Sequence, residues 1–430
     1  MKQIKVVLVG AGDRANSYSK LSKFKPEKIR VVGLVDPDPV RLKLMKEAYN
    51  VAEENCFSDL QDFLQKDRFA DAVVNGTMDQ LHVQTSIPVL EKGYDLLLEK
   101  PFCVNEEEMW KLKEVTDRTG RKVMICHVLR YTPFYSSIKK HVLNGEIGNI
   151  VSMELSEHVS HHHFGVSYMR GKWANESVCG SPILLAKSCH DIDLMMWMKN
   201  GIKPIAVSSF GSDFQFRPKN KPEGAGTNCL VNCPPEVEKN CIYSARKNYL
   251  EPRLHWMCYV GKALEGGEIT AETVRESLKD PKNPFGRCVW DCEHDVVDNQ
   301  TVSIQFEDGS SGVFNLMGGA AKAQRKIHLI GTKGEIQGEF ESSKYVVRTV
   351  DQEGTVVEKE IDLKLTGDMD GEFGGHGGGD LRLAEDFVDW LSEDKESISR
   401  TNLADSIYSH LTIFRAEKSR KNGTVEKIEE

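Results

Sequence analysis

Val6-Val7-Leu8-Val9-Gly10-Ala11-Gly12-Asp13-Arg14-Ala15 decides the fold. An apolar run passes straight into a G-x-G-x-x-A turn, the pattern of a buried parallel strand handing over to a helix at a dinucleotide pyrophosphate. Gly10 permits the tight turn, Gly12 lets the backbone approach the phosphates, and Ala15 is small enough for the helix to pack on the sheet. The first helical amides then face the phosphate charge. Asp36 closes the next apolar run, residues 29–35. An acid at that position accepts hydrogen bonds from a ribose 2′-hydroxyl and favours NAD over NADP. Arg14 would soften that preference by contacting a phosphate.

Outward from this turn, strand-like runs at 4–9, 29–35, 72–75, 95–98 and 122–126 alternate with amphipathic stretches such as 60–64, 82–91 and 106–119. That alternation implies an α/β fold, a doubly wound parallel sheet, over residues 1–128. The run at 95–98 ends in Glu99-Lys100-Pro101, which puts Lys100 at the carboxyl end of a strand, where ligands bind in such sheets. A cation there stabilises a developing alkoxide. Desolvation would also lower its pKa toward the range useful for acid–base work.

At 430 residues the chain is long enough for two or more domains. A net charge of −9 argues against a general nucleic-acid surface. No apolar stretch is long enough to span a bilayer, and Met1-Lys2-Gln3-Ile4 leads into a strand instead of a signal segment. The expectation is a cytoplasmic protein whose 11 cysteines are mostly reduced, buried or metal-bound.

The 10–15 turn, Asp36, Gly76-Thr77 with His82, Glu99-Lys100-Pro101, Arg130-Tyr131, Gly145-Glu146-Ile147-Gly148 and Gly331-Thr332-Lys333-Gly334-Glu335 span most of the chain in order. As a set they resemble the Gfo/Idh/MocA oxidoreductases. The resemblance implies an N-terminal Rossmann domain and, over residues 129–430, a C-terminal α+β domain on a large, mostly antiparallel sheet. That sheet commonly serves as an oligomer interface, so a homo-dimer or tetramer is expected. The implied chemistry is hydride transfer between nicotinamide and a sugar or polyol hydroxyl. Cofactor contacts are expected from Gly10, Gly12, Asp13, Arg14, Ala15 and Asp36, joined by Thr77, His82, Glu99 and Lys100.

The resemblance aligns the catalytic histidine with His190 and places an aspartate four positions earlier, where this chain has Ala186. Lys187 follows directly and offers a charged neighbour. In a continuous helix Lys187 and His190, three apart, share a face. Two lysines near one imidazole disfavour its cation, which leaves His190 as general base with Lys100 and Lys187 as polarising or proton-transfer groups. Substrate contacts are expected from Tyr131, His163, Arg170, Trp173 (stacking on an apolar sugar face), Asp191, Arg325 and His376. The run His161-His162-His163 reads as a pocket-lining or solvated loop in preference to a metal site, because adjacent side chains diverge.

Residues 216–292 read as an insert with a Pro/Gly-rich start and Cys229, Cys233, Cys241, Cys258, Cys288 and Cys292. Cys229, Cys233 and Cys241 with Cys292 or Cys288 suit a closed structural zinc site, against scattered reduced thiols. An iron–sulfur cluster is less favoured because no matching cysteine run is present. The leading function is an NAD-dependent oxidoreductase acting on a secondary hydroxyl of a carbohydrate, polyol or glycoside. A glycoside-cleaving enzyme using transient oxidation, with Tyr131 as its base, is the alternative, and a non-enzymatic NAD-binding regulator is the third.

Overall fold

The structure, a computed structural model, describes residues 2–251, 257–261, 268–363 and 376–429. The first sheet comprises β1 (Ile4–Val9), β2 (Ile29–Val35), β3 (Cys56–Phe57), β4 (Ala72–Asn75), β5 (Asp95–Leu98) and β6 (Val123–Ile125). Its order is β3-β2-β1-β4-β5-β6 and all pairs are parallel. The order reverses between β1 and β4, and the crevice beyond the carboxyl ends of those strands is where such sheets bind ligands. Strands β1 and β4 are apolar throughout or nearly so, as burial on both faces demands.

The second sheet comprises β7 (Ile150–Ser160), β8 (Pro204–Ser212), β9 (Asn299–Phe306), β10 (Ser311–Ala320), β11 (Gln324–Gly331), β12 (Gly334–Glu339), β13 (Lys344–Val350), β14 (Val356–Asp362) and β15 (Glu426–Lys427). It runs β14-β13-β12-β11-β7-β10-β9-β8-β15. Only the β7–β10 pair is parallel. The hairpin expected around Glu307-Asp308-Gly309-Ser310 is the β9–β10 connection.

Five helices matter for the site: α1 (Asp13–Ser19), α2 (Ile183–Ala186), α3 (Cys189–Met198), α4 (Gly379–Glu393) and α5 (Leu403–Asn422). Helices α3 and α5 pack against each other and against the second sheet. Helix α4 does not stay with that half of the chain. Leu381, Leu383, Ala384, Phe387 and Val388 join Val6, Leu8, Leu34 and Val74 in one core. The C-terminal part of the chain thus returns to cover the first sheet.

Between β8 and β9 the described residues form no strand, only short helical turns and an isolated Asn228–Arg287 bridge. They keep a small core of their own, with Cys229, Ala245, Tyr249, Val260, Val274 and Leu278 around Val166.

Candidate active site

The turn after β1 is bare backbone. Gly10 has φ +79°, and a Cβ there would lie 2.7 Å from the Thr77 amide nitrogen. At Gly12, which precedes α1, a Cβ would meet nothing within 4 Å. One glycine lets the β1 and β4 loops pass; the other leaves open room beside the first helical amides, which suits a pyrophosphate. A Cβ at Gly76 would stand 3.0 Å from that of Ala15, so the small residue there is required by packing. Gly10→Ala is expected to cost about 1–3 kcal/mol through the left-handed backbone and the clash, and to remove the thermal stabilisation by NAD. Melting curves with and without NAD check both.

Asp36 is buried, with Oδ2 accepting the Ala11 N–H at 2.7 Å and Oδ1 the Asp38 N–H at 2.9 Å. Each oxygen keeps a further lone pair for a ribose hydroxyl. Asp13 is exposed in the first turn of α1. The Thr77 amide and hydroxyl both donate to Asn75 Oδ1. His82 spans the loops after β4 and β5, its Nδ1 2.6 Å from the Pro101 carbonyl and its Nε2 3.1 Å from that of Thr77. It braces the cradle from behind.

Arg14 departs from the sequence expectation. Its Nε donates to Glu99 Oε1 at 2.6 Å and its terminal nitrogens to Asp380 at 2.7 and 3.2 Å. The guanidinium is spent on two protein carboxylates, which tie α1 to the end of β5 and the start of α4. Glu99 also accepts the Tyr18 hydroxyl and the Lys100 N–H. It is therefore not the partner of the Lys100 ammonium. Lys100 Nζ donates instead to the Ala186 carbonyl, at 2.7 Å.

The helix expected to carry Lys187 and His190 on one face is broken. α2 ends at Ala186, Lys187 and Ser188 leave regular geometry (φ −104°, ψ −54° and φ −97°, ψ 8°), and α3 begins at Cys189. Lys187 turns to β7, with Nζ 3.4 Å from Glu157 Oε1. Arg325 of β11 lies against Glu157 and donates to Asp191 Oδ1 at 3.2 Å. Asp191 Oδ2 is buried and meets no hydrogen-bond donor among the described residues. His190 is buried beside this group, its ring 5.7 Å from that of His127, edge to face.

Burial sets the electrostatics. It pushes Lys187 down, with Arg325 and Lys100 in the same direction. It pushes the Asp191 carboxyl up to about 7, where the Arg325 cation opposes and the Glu157 charge adds to the rise. A carboxyl raised in the folded state contributes stability that is present below its ordinary value of 3.8 and lost as pH climbs to about 7. Wild-type melting temperature is expected to fall relative to Asp191→Asn across that window. Parallel curves would refute the assignment.

The other expected contacts sit among different neighbours. The Tyr131 hydroxyl donates to Asp386 Oδ2 of α4 at 2.7 Å and belongs to the first domain's interior. Arg170 is buried in the insert, bonded to the Tyr249 hydroxyl and the carbonyls of Tyr243 and Arg287. Trp173 packs by Tyr168 under the Lys172 ammonium. His163 approaches Tyr168, ring centroids 6.2 Å apart. The side chains of His376 and Cys258 lie outside the described residues.

The structural zinc expectation is corrected. Among the described residues no three His, Cys, Asp or Glu side chains could hold a metal ion. Cys292 turns its thiol to the Cys288 carbonyl, at 3.4 Å.

The family profile for the oxidoreductase family, NAD-binding Rossmann fold, matches residues 4–127, and that for its C-terminal alpha/beta domain matches residues 139–429. The chain belongs to the Gfo/Idh/MocA oxidoreductase family. "Putative oxidoreductase YteT" of Bacillus subtilis is 26% identical over 89% of this chain and 87% of its own. Inositol 2-dehydrogenase of Corynebacterium glutamicum is 22% identical over 46% of this chain and 54% of its own. Scyllo-inositol dehydrogenase of Lactobacillus casei, solved with NAD(H) and scyllo-inositol, has a TM-score of 0.66 at 17% identity, over 99% of each chain. This chain is thus an NAD-binding oxidoreductase on the family's two-domain fold.

In this Gfo/Idh/MocA chain the sequence reading missed Glu157 and His127. Glu157 occupies an inward position of β7, in step with Met153, Leu155 and Val159, and a carboxylate in that apolar register is the signal. His127 follows β6 at the same edge of the sheet that presents Lys100. Among the described residues no helix is long and apolar enough to cross a membrane.

Proposed function

We propose that the protein oxidises a secondary hydroxyl of a sugar, polyol or glycoside with NAD. The observation that carries this reading is the polar cluster at the carboxyl edge of the first sheet. Lys100 ends β5 there, and the Lys187, Glu157, Arg325 and Asp191 group beside it leaves Asp191 Oδ2 without a donor. A polyhydroxylated molecule satisfies such a set of buried charges and acceptors. Gly10, Gly12, Ala15 and Asp36 would hold the cofactor, with Thr77 lining the cradle; when bound, its nicotinamide supplies the hydride acceptor. Lys100 holds the reacting oxygen and stabilises its developing charge. His190 takes the hydroxyl proton. Lys187, Arg325 and Asp191 orient the remaining hydroxyls. The inositol dehydrogenases among the relatives support a polyol or sugar as the substrate class.

The outer face of the second sheet exposes Phe210, Met317, Ile330 and Val350. We assign that face to a second copy of the chain, as open sheets need covering; sedimentation equilibrium tests it. The function is tested with NAD and a panel of inositols, aldoses and aryl glycosides, following NADH absorbance and product mass. NADH accumulating with a keto-sugar supports the proposal. Aglycone release without NADH overturns it in favour of oxidation–elimination.

A further inference from the structure

His127 is buried and yet left polar. It follows β6 in an inverse γ-turn (φ −78°, ψ 71°), with the Val128 N–H donating to the Cys126 carbonyl at 3.0 Å. The ring is fully buried, and neither of its nitrogens meets a hydrogen-bond partner among the described residues. Burial of an imidazole in this way is costly, and a phenylalanine of similar outline would avoid the cost. A polar group kept at such a cost marks a place where stability yields to function.

The neighbours decide what the ring can do. His190 of α3 lies edge to face with it, 5.7 Å between centroids. His410 of α5 stands at 5.9 Å, but its Nε2 already accepts the Phe102 N–H at 3.3 Å. Asp193 Oδ1 is 3.8 Å from His127 Nε2, just beyond hydrogen-bond reach. Arg130 donates once to each Asp193 oxygen, and each oxygen keeps a further lone pair. Lys100 and Arg130 face the ring with positive charge and Glu99 with negative; burial and the two cations hold it well below the usual histidine range. Lys187, the charged neighbour that chain proximity offers His190, is turned to Glu157.

We propose that His127 is a positioning residue for His190: its Nε2–H turns to Asp193, and its Nδ1 lone pair receives a hydrogen bond from the His190 ring when that ring takes the substrate proton. This rests on His190 as the base of the proposed dehydrogenase. Hydrogen bonds of a catalytic site are often long without substrate and tighten when it binds. The hydroxyl proton stays on His190, and His127 neither gains nor loses one. The contact favours the His190 cation, so it raises the pKa of that ring.

The first test needs no substrate. Full-length protein with 15N- and 13C-labelled histidines is titrated by NMR as wild type, His127→Phe and His127→Gln. Expected in the wild type is a neutral His127 in the Nε2–H tautomer. In His127→Phe the His190 ring should titrate lower by about one pH unit, a tenfold change, and the protein should unfold at no lower urea concentration. With the hydroxyl substrate, His127→Phe should lower kcat about 10–100-fold, leave NAD affinity within a few-fold, and move the acid limb of kcat/KM to lower pH. His127→Gln keeps one donor and one acceptor and should restore part of both. An Nδ1–H tautomer, or a His190 titration alike in wild type and His127→Phe, overturns the proposal whatever the substrate. A lower urea midpoint with an unmoved acid limb makes His127 structural and overturns it too. If no sugar or polyol is oxidised while the NMR shift is seen, the dehydrogenase reading fails and the His127–His190 contact stands. The wild-type tautomer decides even where both variants fail to fold.

Discussion

Lys100→Ala lowers kcat/KM for the hydroxyl substrate by about 10²–10³-fold, the usual effect of removing a donor from a developing oxyanion, while NAD affinity stays within a few-fold. The expectation rests on position. Lys100 closes β5 at the carboxyl edge of the parallel sheet, and its ammonium meets a carbonyl, that of Ala186, instead of the adjacent Glu99. Glu99 is occupied by Arg14 and Tyr18, so no hydrogen bond ties the lysine side chain to it. A backbone carbonyl is a replaceable partner, and a substrate oxygen with growing negative charge outcompetes it. Lys100→Arg separates the two roles a lysine could have. A guanidinium keeps the cation but does not give up its proton. Substantial rescue by arginine assigns electrostatic stabilisation; no rescue assigns proton transfer. Full turnover in Lys100→Ala would remove the residue from the mechanism.

Much of this was legible in the chain because strand and turn chemistry are local. The parallel strands β1, β2, β4 and β5 are continuous apolar runs with punctuation at each end, and Gly10 and Gly12 announce the cradle. Lys100, His190, Asp191, Lys187 and Arg325 each stand out singly in the sequence, and the structure brings them together from β5, the α2–α3 region and β11. What could not be read was long-range pairing. Arg14 looks like a phosphate ligand beside the turn, yet Asp380, which claims it, is a Gly-rich loop away in another half of the chain. Tyr131 follows the same logic with Asp386. The break after Ala186 has no proline or glycine to mark it. The segment gives up helical geometry where Lys187 turns toward Glu157, a tertiary preference that outweighs local propensity.

Asp193→Ala is expected to destabilise the protein by about 3–5 kcal/mol, the cost of leaving a buried charge without its partner. Arg130 Nε and Nη2 meet the two Asp193 oxygens at 2.7 and 2.5 Å, and Nη1 donates to the Arg400 carbonyl at 3.2 Å. Both side chains are buried. His127 stands 3.8 Å from Asp193 but cannot substitute as the counter-charge, because burial, with Arg130 and Lys100, holds its ring well below the usual histidine range. The pair joins the turn after the first sheet to α3, three residues beyond His190, so it fixes that helix relative to the first sheet. Urea denaturation measures the loss as a lower midpoint at unchanged slope. Arg130→Met with Asp193→Leu removes both charges and should recover most of the stability, since apolar replacement of a buried pair is often neutral. If the single variant costs under about 1 kcal/mol, as an exposed pair would, water reaches Arg130 and the interface between the two domains is open at this point.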